Sequence, residues 1–303
     1  MLPTLEGYAA ALLGSLDSAV LATVAGDLTS LEQTILGRGD LRAVLTDTSI
    51  APAARGQIVR VLLAEKMHAE TVRLCVYAAT VTPAQEVPHA VAELAVEAHV
   101  WHEMGASEQK NLGLMAARKR VSGFTDALLE SLDTSTFAEI EEELFRWART
   151  IEGNVDLRRL LLDRDAPLEA RLGATEQLLT DHVTPVTLRL ASYVVQGGRP
   201  RDVVGTLDFL VDYVAKARDW RVARVHTARA LDEQSQAQLV RSLSTMTGKS
   251  VELQIAEEPE LLGGVLVEVG DFRLDATTRG RLVELHDAVA SGHLYESSLN
   301  RND

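Results

Sequence analysis

The stretch GYAAALLGSLD, residues 7–17, recurs as GFTDALLESLD at residues 123–133, with seven of eleven positions identical. The same offset of 116 aligns Asp40-Leu41-Arg42 with residues 156–158 and residues 71–74 with residues 187–190. One register holds over roughly seventy residues, with a one-residue slip near Pro52 and Pro167. Chance similarity does not keep register that long, so the chain contains a duplicated unit.

Each copy has the pattern of a helical bundle. Apolar residues recur at spacings of three and four, as on the buried face of a helix. In the first copy these are Val20, Val24, Leu28, Leu31 and Ile35, and in the second Ile140, Leu144, Trp147 and Ile151. Pro52 and Pro167 suit the first turn of a following helix. Glu139, Glu141, Glu142 and Glu143 are predicted to form a solvated helix face.

In the last third of the chain, the spacing of apolar residues changes from that of helices to that of strands in several segments. Residues 221–228 alternate polar and apolar side chains, as does the segment 251–255, which predicts half-buried strands. A helix is predicted between them over residues 231–246. A third strand carries Val265, Val267 and Val269, Gly270-Asp271 favours a tight hairpin, and residues 272–274 form the returning strand. Asp275 is placed to cap a final helix.

These patterns predict a mainly α chain with a small α/β module. Residues 1–113 form an extra helical bundle, 114–217 a second bundle, 218–292 a C-terminal module containing a β-hairpin, and 293–303 a frayed tail. The segment from Glu103 to Arg120 is the predicted joint between the bundles. It is either a linker or a helix that continues from one bundle into the next.

Composition and charge argue against some classes of function. The chain has 46% hydrophobic and 24% charged residues, which is ordinary for a globular protein. Its net charge of −14 makes it a poor candidate for binding nucleic acid through phosphates. The single cysteine, Cys75, is predicted to be a buried hydrophobe. Glu6 and Asp17 interrupt the apolar N-terminal stretch, which argues against a signal sequence.

Motifs for catalysis, cofactors and metals are absent from the sequence. Gly248-Lys249-Ser250 lacks the glycine that a phosphate-binding loop needs five residues earlier, because position 243 is Leu. His99, His102 and Glu103 are too few ligands for a closed zinc site. The sequence therefore predicts no catalytic residue, no cofactor and no metal.

The C-terminal block resembles the signature of the ATP synthase δ subunit, the oligomycin-sensitivity-conferring protein family. The residues that carry the resemblance are Gly263, Gly264, Gly270, Asp271, Asp275, Arg279 and Arg281. Gly198-Arg199 is similar to a pair late in the family's helical domain, and Tyr8 to Leu12 to the segment that opens it. The resemblance covers residues 118–290, and the extra copy precedes it, as in some GC-rich bacteria.

The resemblance implies a non-catalytic stator subunit of the F-type ATP synthase. In the family, the helical domain binds N-terminal helices of the α subunits and the C-terminal module binds the end of the b stalk. The chain would then lie at the cytoplasmic face of a bacterial membrane, and meet the membrane only through the complex. The signature residues are expected to shape the hairpin and cap a helix.

Several alternatives stay open from the sequence. The chain is a δ subunit that stands alone, or the δ part of a fusion with a b-type segment. Either helical bundle can be the one that binds α, with the second bundle favoured because it precedes the α/β module. A free-standing helical adaptor unrelated to the ATP synthase would also explain the duplication, although it leaves the C-terminal signature unexplained.

Overall fold

The chain divides into two compact units, residues 1–215 and residues 216–303. The computed structural model describes residues 1–105, 112–163, 165–197, 202–219, 222–247, 251–258, 261, 263–269 and 272–277. Within those ranges the first unit is helical and holds both copies of the duplication, called here the first and second repeat. The second unit holds the sheet.

The first repeat contains six α-helices and a short 3₁₀ turn at Ala84–Glu86. The helices are α1 (Pro3–Leu13), α2 (Ser18–Gly37), α3 (Gly39–Thr46), α4 (Pro52–Leu63), α5 (Ala69–Val81) and α6 (Val87–Met104). Local signals mark the start of two of these helices, and the one at Pro52 is as the sequence predicts. Asp17 accepts a hydrogen bond from the Val20 amide at the start of α2, and Pro52 occupies the first turn of α4.

The second repeat has the same helices in the same order. They are α7 (Leu114–Leu129), α8 (Thr134–Gly153), α9 (Val155–Leu162), α10 (Leu168–Leu179), α11 (Pro185–Gly197) and α12 (Val203–Asp219). The bounds of α8 to α11 all lie 116 residues after those of α2 to α5. The one-residue slip affects only the prolines. Pro52 is the first residue of α4, whereas Pro167 precedes α10 as its N-cap residue, so the expectation that Pro167 lies in the first turn is wrong.

Two further expectations need correction. A helix that continues from the first repeat into the second is excluded, because α6 ends at Met104 and Gly105 takes a left-handed conformation with φ of +69°. Glu143 does not belong to the solvated face of α8. Its side chain is only 4% exposed, and it accepts hydrogen bonds from the amide and hydroxyl of Thr184 at the start of α11.

The second unit is a four-stranded sheet with one described helix. The strands are β1 (Val222–Thr227), β2 (Glu252–Glu257), β3 (Val265–Val269) and β4 (Phe272–Asp275), in the order β2-β1-β3-β4. β1 and β2 are parallel and α13 (Glu233–Thr247) connects them, whereas β3 is antiparallel to both β1 and β4. The core contains Ala223, Val225, Leu243, Val251, Val267 and Val269. The mainly α fold with a small α/β module is confirmed.

Two buried and two half-buried tyrosines predict that the fold loses stability at high pH. Burial is the largest cause that raises the pKa of Tyr8, Tyr77, Tyr193 and Tyr213, with nearby carboxylates adding to it at Tyr8, Tyr77 and Tyr213. Burial likewise raises the pKa of the Cys75 thiol to about 12. The unfolded chain releases these protons more readily, so the stability they contribute is present below roughly pH 9 to 10 and is lost above it.

We therefore expect alkaline unfolding in which tyrosinate absorbance and loss of helical circular dichroism rise together. A stepwise pH titration that follows both signals checks this. Tyrosinate formation at these four residues near their ordinary pKa, with the helices intact, would contradict it.

Candidate interaction surfaces

The two repeats meet through their first helices, α1 and α7, which make the most extensive helix contact of the first unit. Gly7 and Gly123 occupy equivalent positions and mark the closest approach. A Cβ atom at Gly7 would lie 1.8 Å from the Arg120 carbonyl oxygen, and one at Gly123 would lie 1.8 Å from the Thr4 carbonyl oxygen. Because Thr4 and Arg120 are themselves equivalent, the contact is self-complementary, like the interface of a two-fold dimer.

Side chains around the contact of α1 with α7, called here the joint, follow the same pseudo-two-fold relation. Tyr8 stacks on Tyr77 with 3.8 Å between ring centroids, and Phe124 stacks on Tyr193 with 3.7 Å. Arg73 donates to the Ala127 carbonyl at 3.2 Å, and its equivalent, Arg189, donates to the Ala11 carbonyl at 3.0 Å. In each repeat, the arginine of the fifth helix therefore links that helix to the first helix of the other repeat.

The two sides of the joint carry side chains of different size at equivalent positions. On the side of the Tyr8–Tyr77 stack, Tyr77 and Tyr213 both donate hydroxyl hydrogen bonds to Asp126, at 2.6 and 2.7 Å. Tyr8 donates to Glu130 at 2.6 Å. The positions equivalent to Asp126 and Glu130 are Ala10 and Gly14, whose side chains are much smaller. On that other side lies a cavity of about 440 Å³ between α1, α6, α7 and α11.

A second cavity, of about 400 Å³, lies within the first repeat and is mainly apolar. Its walls come from α2 to α6 and include Leu31, Leu45, Leu62 and Val91. The second repeat places the larger, buried Trp147 at the position equivalent to Leu31. The second repeat is therefore bulkier at this position of the equivalent wall.

The signature residues that the structure describes are Gly263, Gly264 and Asp275, and their local geometry fits the expected role in shaping the chain around β3 and β4. Gly263 and Gly264 precede β3 with φ of +137° and +83°, conformations that favour glycine. A Cβ atom at Gly264 would lie 2.4 Å from the Ala276 carbonyl oxygen. Asp275 accepts hydrogen bonds from the amide and hydroxyl of Thr277, and these bonds hold the pKa of its carboxyl below the usual range.

The other signature residues lie outside the described part of the chain, as do the final helix, the tail and Gly248-Lys249-Ser250. These signature residues are Gly198, Arg199, Gly270, Asp271, Arg279 and Arg281. The hairpin on either side of Gly270-Asp271 is described, with Val269 opposite Phe272.

Among the described residues, no group of three or more His, Cys, Asp or Glu side chains is placed to hold a metal ion. None of the described helices has the length and apolar character needed to cross a membrane. Cys75 is buried, as its apolar neighbours predict.

Comparison with known proteins identifies the family. Residues 112–289 match the model of the ATP synthase delta (OSCP) subunit family. The chain belongs to this family. The match covers the second repeat and the α/β unit, the part in which the sequence signature lies, and the first repeat precedes it.

Individual relatives extend the likeness over both repeats. The ATP synthase subunit delta of Nocardia farcinica is 32% identical over 94% of this chain and 95% of that protein. The one of Salinispora tropica is 31% identical over 90% of each. The Salinispora arenicola protein of the same name is 39% identical, over 54% of this chain and 60% of that protein. These matches do not favour an adaptor unrelated to the ATP synthase.

Proposed function

We propose that this chain is a non-catalytic peripheral-stalk subunit of the F-type proton-translocating ATP synthase. Its membership of the delta/OSCP family carries the proposal, because relatives that span nine-tenths of the chain are named ATP synthase subunit delta. In this role the chain links the α3β3 catalytic head to the b-type stalk and resists the torque of the rotor.

The division into two units suggests how the partners are shared. The second repeat is our choice for binding the N-terminal helices of the α subunits, since the family match begins with it. The α/β unit binds the C-terminal region of the b-type subunit. Two modest interfaces on one chain give a tight joint, because binding at one raises the effective concentration at the other.

The first repeat acts as a brace for the second. Helix α1 packs along α7 through backbone contacts at Gly7 and Gly123, so force on either repeat passes directly into the other. Close-packed interiors have low compressibility and transmit strain. The chain meets the cytoplasmic face of the bacterial membrane only through the assembled complex.

The test is coupling in membrane vesicles that contain the ATP synthase. Removing this chain should leave ATP hydrolysis by the head active and abolish ATP-driven proton pumping, and adding back the full chain should restore pumping. Proton pumping that persists in vesicles shown by immunoblot to lack the chain would contradict the stator role.

A further inference from the structure

The 400 Å³ cavity of the first repeat has an apolar wall that lies inside the repeat. Its buried side chains come from α2, α3, α4 and α6 and include Leu31, Ile35, Leu45, Val59, Leu63 and Val91. The volume lies within the range of small-molecule pockets in proteins. Since a water molecule occupies about 30 Å³ of the liquid, the space suits a ligand of about a dozen non-hydrogen atoms.

The charged side chains of this cavity all belong to the exposed part of its wall. They are Arg38, Asp40 and Lys66. Arg38 forms an ion pair with Asp40, so the charges of these two residues balance each other. Lys66 follows the end of α4, and its ammonium group pairs with no carboxylate among the described residues. The cavity is therefore apolar inside, with one unbalanced positive charge at its exposed edge.

The second repeat shows that this part of the fold accepts a larger side chain. Trp147 stands at the position equivalent to Leu31 and is 3% exposed, so the repeat packs around an indole ring there. Protein interiors contain few voids larger than a water molecule. A large apolar cavity tends to stay dry and to take up apolar ligands. The cavity that the first repeat keeps is therefore suited to an apolar guest.

We propose that this cavity binds a small aliphatic carboxylate, with its chain among the buried aliphatic side chains and its carboxylate paired with Lys66. Burial of the chain would stabilise the complex in proportion to the apolar area removed from water. The lysine favours an anionic head group, because a cationic one would be repelled and a neutral one would gain no ion pair.

The position and size of the cavity favour this class of ligand over two others. A partner helix would have to reach side chains that are buried inside the repeat. A diacyl lipid has far more than about a dozen non-hydrogen atoms, so it exceeds the space. The proposal does not rest on the stator role, since every residue that carries it belongs to the first repeat.

The experiment is isothermal titration calorimetry of the full chain with decanoate, and with decanol as the neutral analogue. Decanoate should bind as one molecule per chain, and decanol about three- to fivefold more weakly, the effect of losing an exposed ion pair. Lys66→Met should weaken decanoate binding by the same factor and leave decanol binding unchanged. The matched control is Lys119→Met, which removes an exposed lysine of α7 outside the cavity and should change neither affinity.

A second variant reduces the space itself. Leu31→Trp places the side chain of the second repeat in the cavity and should weaken both ligands alike, by about tenfold or more, because the added ring competes for the same volume. Leu36→Trp is its control, since Leu36 is on the same helix, is 66% exposed and does not line the cavity. Circular dichroism of each variant confirms that the helices are intact.

The outcomes are distinct. Saturable decanoate binding that responds to Lys66→Met and Leu31→Trp as stated supports the proposal. No saturable binding below about 1 mM would overturn it and leave an apolar side chain of a partner protein as the alternative occupant. Full binding by a folded Leu31→Trp chain, or decanoate binding that Lys66→Met leaves unchanged, would also overturn it. None of these results bears on the stator role, because the assay contains no other subunit.

Discussion

Alanine at Gly7 or at Gly123 is expected to lower the free energy of unfolding of the helical unit by about 3 kcal/mol, the upper range for overpacking a tight contact. The added methyl group would lie 1.8 Å from a backbone carbonyl oxygen of the facing helix. A backbone atom cannot move aside as the end of a side chain can, so the helices must separate and the hydrogen bonds from Arg73 and Arg189 to the facing helix are weakened.

Differential scanning calorimetry of the two variants checks this, and the expected fall in Tm is roughly 6–12 °C for a unit of this size. Gly26→Ala is the matched control, because a Cβ atom there has no neighbour within 4 Å. That change should stabilise α2 by about 0.5–1 kcal/mol, as alanine favours helix over glycine. Equal behaviour of all three variants would contradict the close contact of α1 and α7.

Glu143→Ala is expected to destabilise the helical unit by about 2–4 kcal/mol, because it leaves the half-buried Thr184 donors without their charged acceptor. The Glu143 carboxylate accepts from the Thr184 amide at 2.8 and 3.0 Å and from the Thr184 hydroxyl at 2.8 Å. It also lies at the N-terminus of α11, where a negative charge is favoured by the helix dipole.

Chemical denaturation followed by circular dichroism measures this loss. Glu142→Ala removes the neighbouring exposed glutamate and should change stability by no more than about 0.5 kcal/mol. Glu143→Gln keeps an acceptor without the charge and should lie between the two. A Glu143→Ala variant as stable as Glu142→Ala would show that the carboxylate does not hold α11 in place.

A carboxylate also accepts hydrogen bonds at the start of the fifth helix in the first repeat. The contact is therefore a property of the duplicated fold. Asp27 accepts from the His68 amide at 2.8 Å and from the Thr71 hydroxyl at 3.0 Å, at the start of α5. Position 27 is equivalent to position 143, and the longer glutamate serves the same purpose. Asp27→Ala should therefore cost a similar amount.

The sequence predicted the local structure well because the duplication repeats each signal. Helix bounds, the apolar stripes of α2 and α8, and the strands of the α/β unit all follow from periodicity and from capping or turn residues. The prediction of a solvated helix face at Glu139, Glu141, Glu142 and Glu143 was wrong for Glu143. Spacing alone could have shown this, since Glu143 lies three residues after Ile140 and four before Trp147, both buried.

The joint between the repeats was missed because pairing of distant helices has no periodic signature. A signal was nevertheless present. Gly7 and Gly123 are retained in both copies in the middle of helices, where glycine costs about 1 kcal/mol relative to alanine. A glycine kept at such a position points to a close backbone approach. Likewise, Gly14 opposite Glu130 in the aligned copies marked the side of the joint on which the cavity lies.

The joint also bears on how the extra repeat is tested. A chain that begins at Gly113 would lack α1 and expose the face of α7 that carries Gly123 and Phe124. Loss of binding by such a fragment would not distinguish a missing contact from a damaged fold. Point variants in the full chain, such as those at Gly7 and Gly123, avoid this ambiguity.

The most direct test of the stator role is co-elution of the full chain with the purified catalytic head, with the mass of the complex measured by light scattering. The account predicts a stable complex with one chain per head, which withstands dilution to submicromolar concentration. Separate elution of the chain and the head under conditions in which the chain is folded would contradict it.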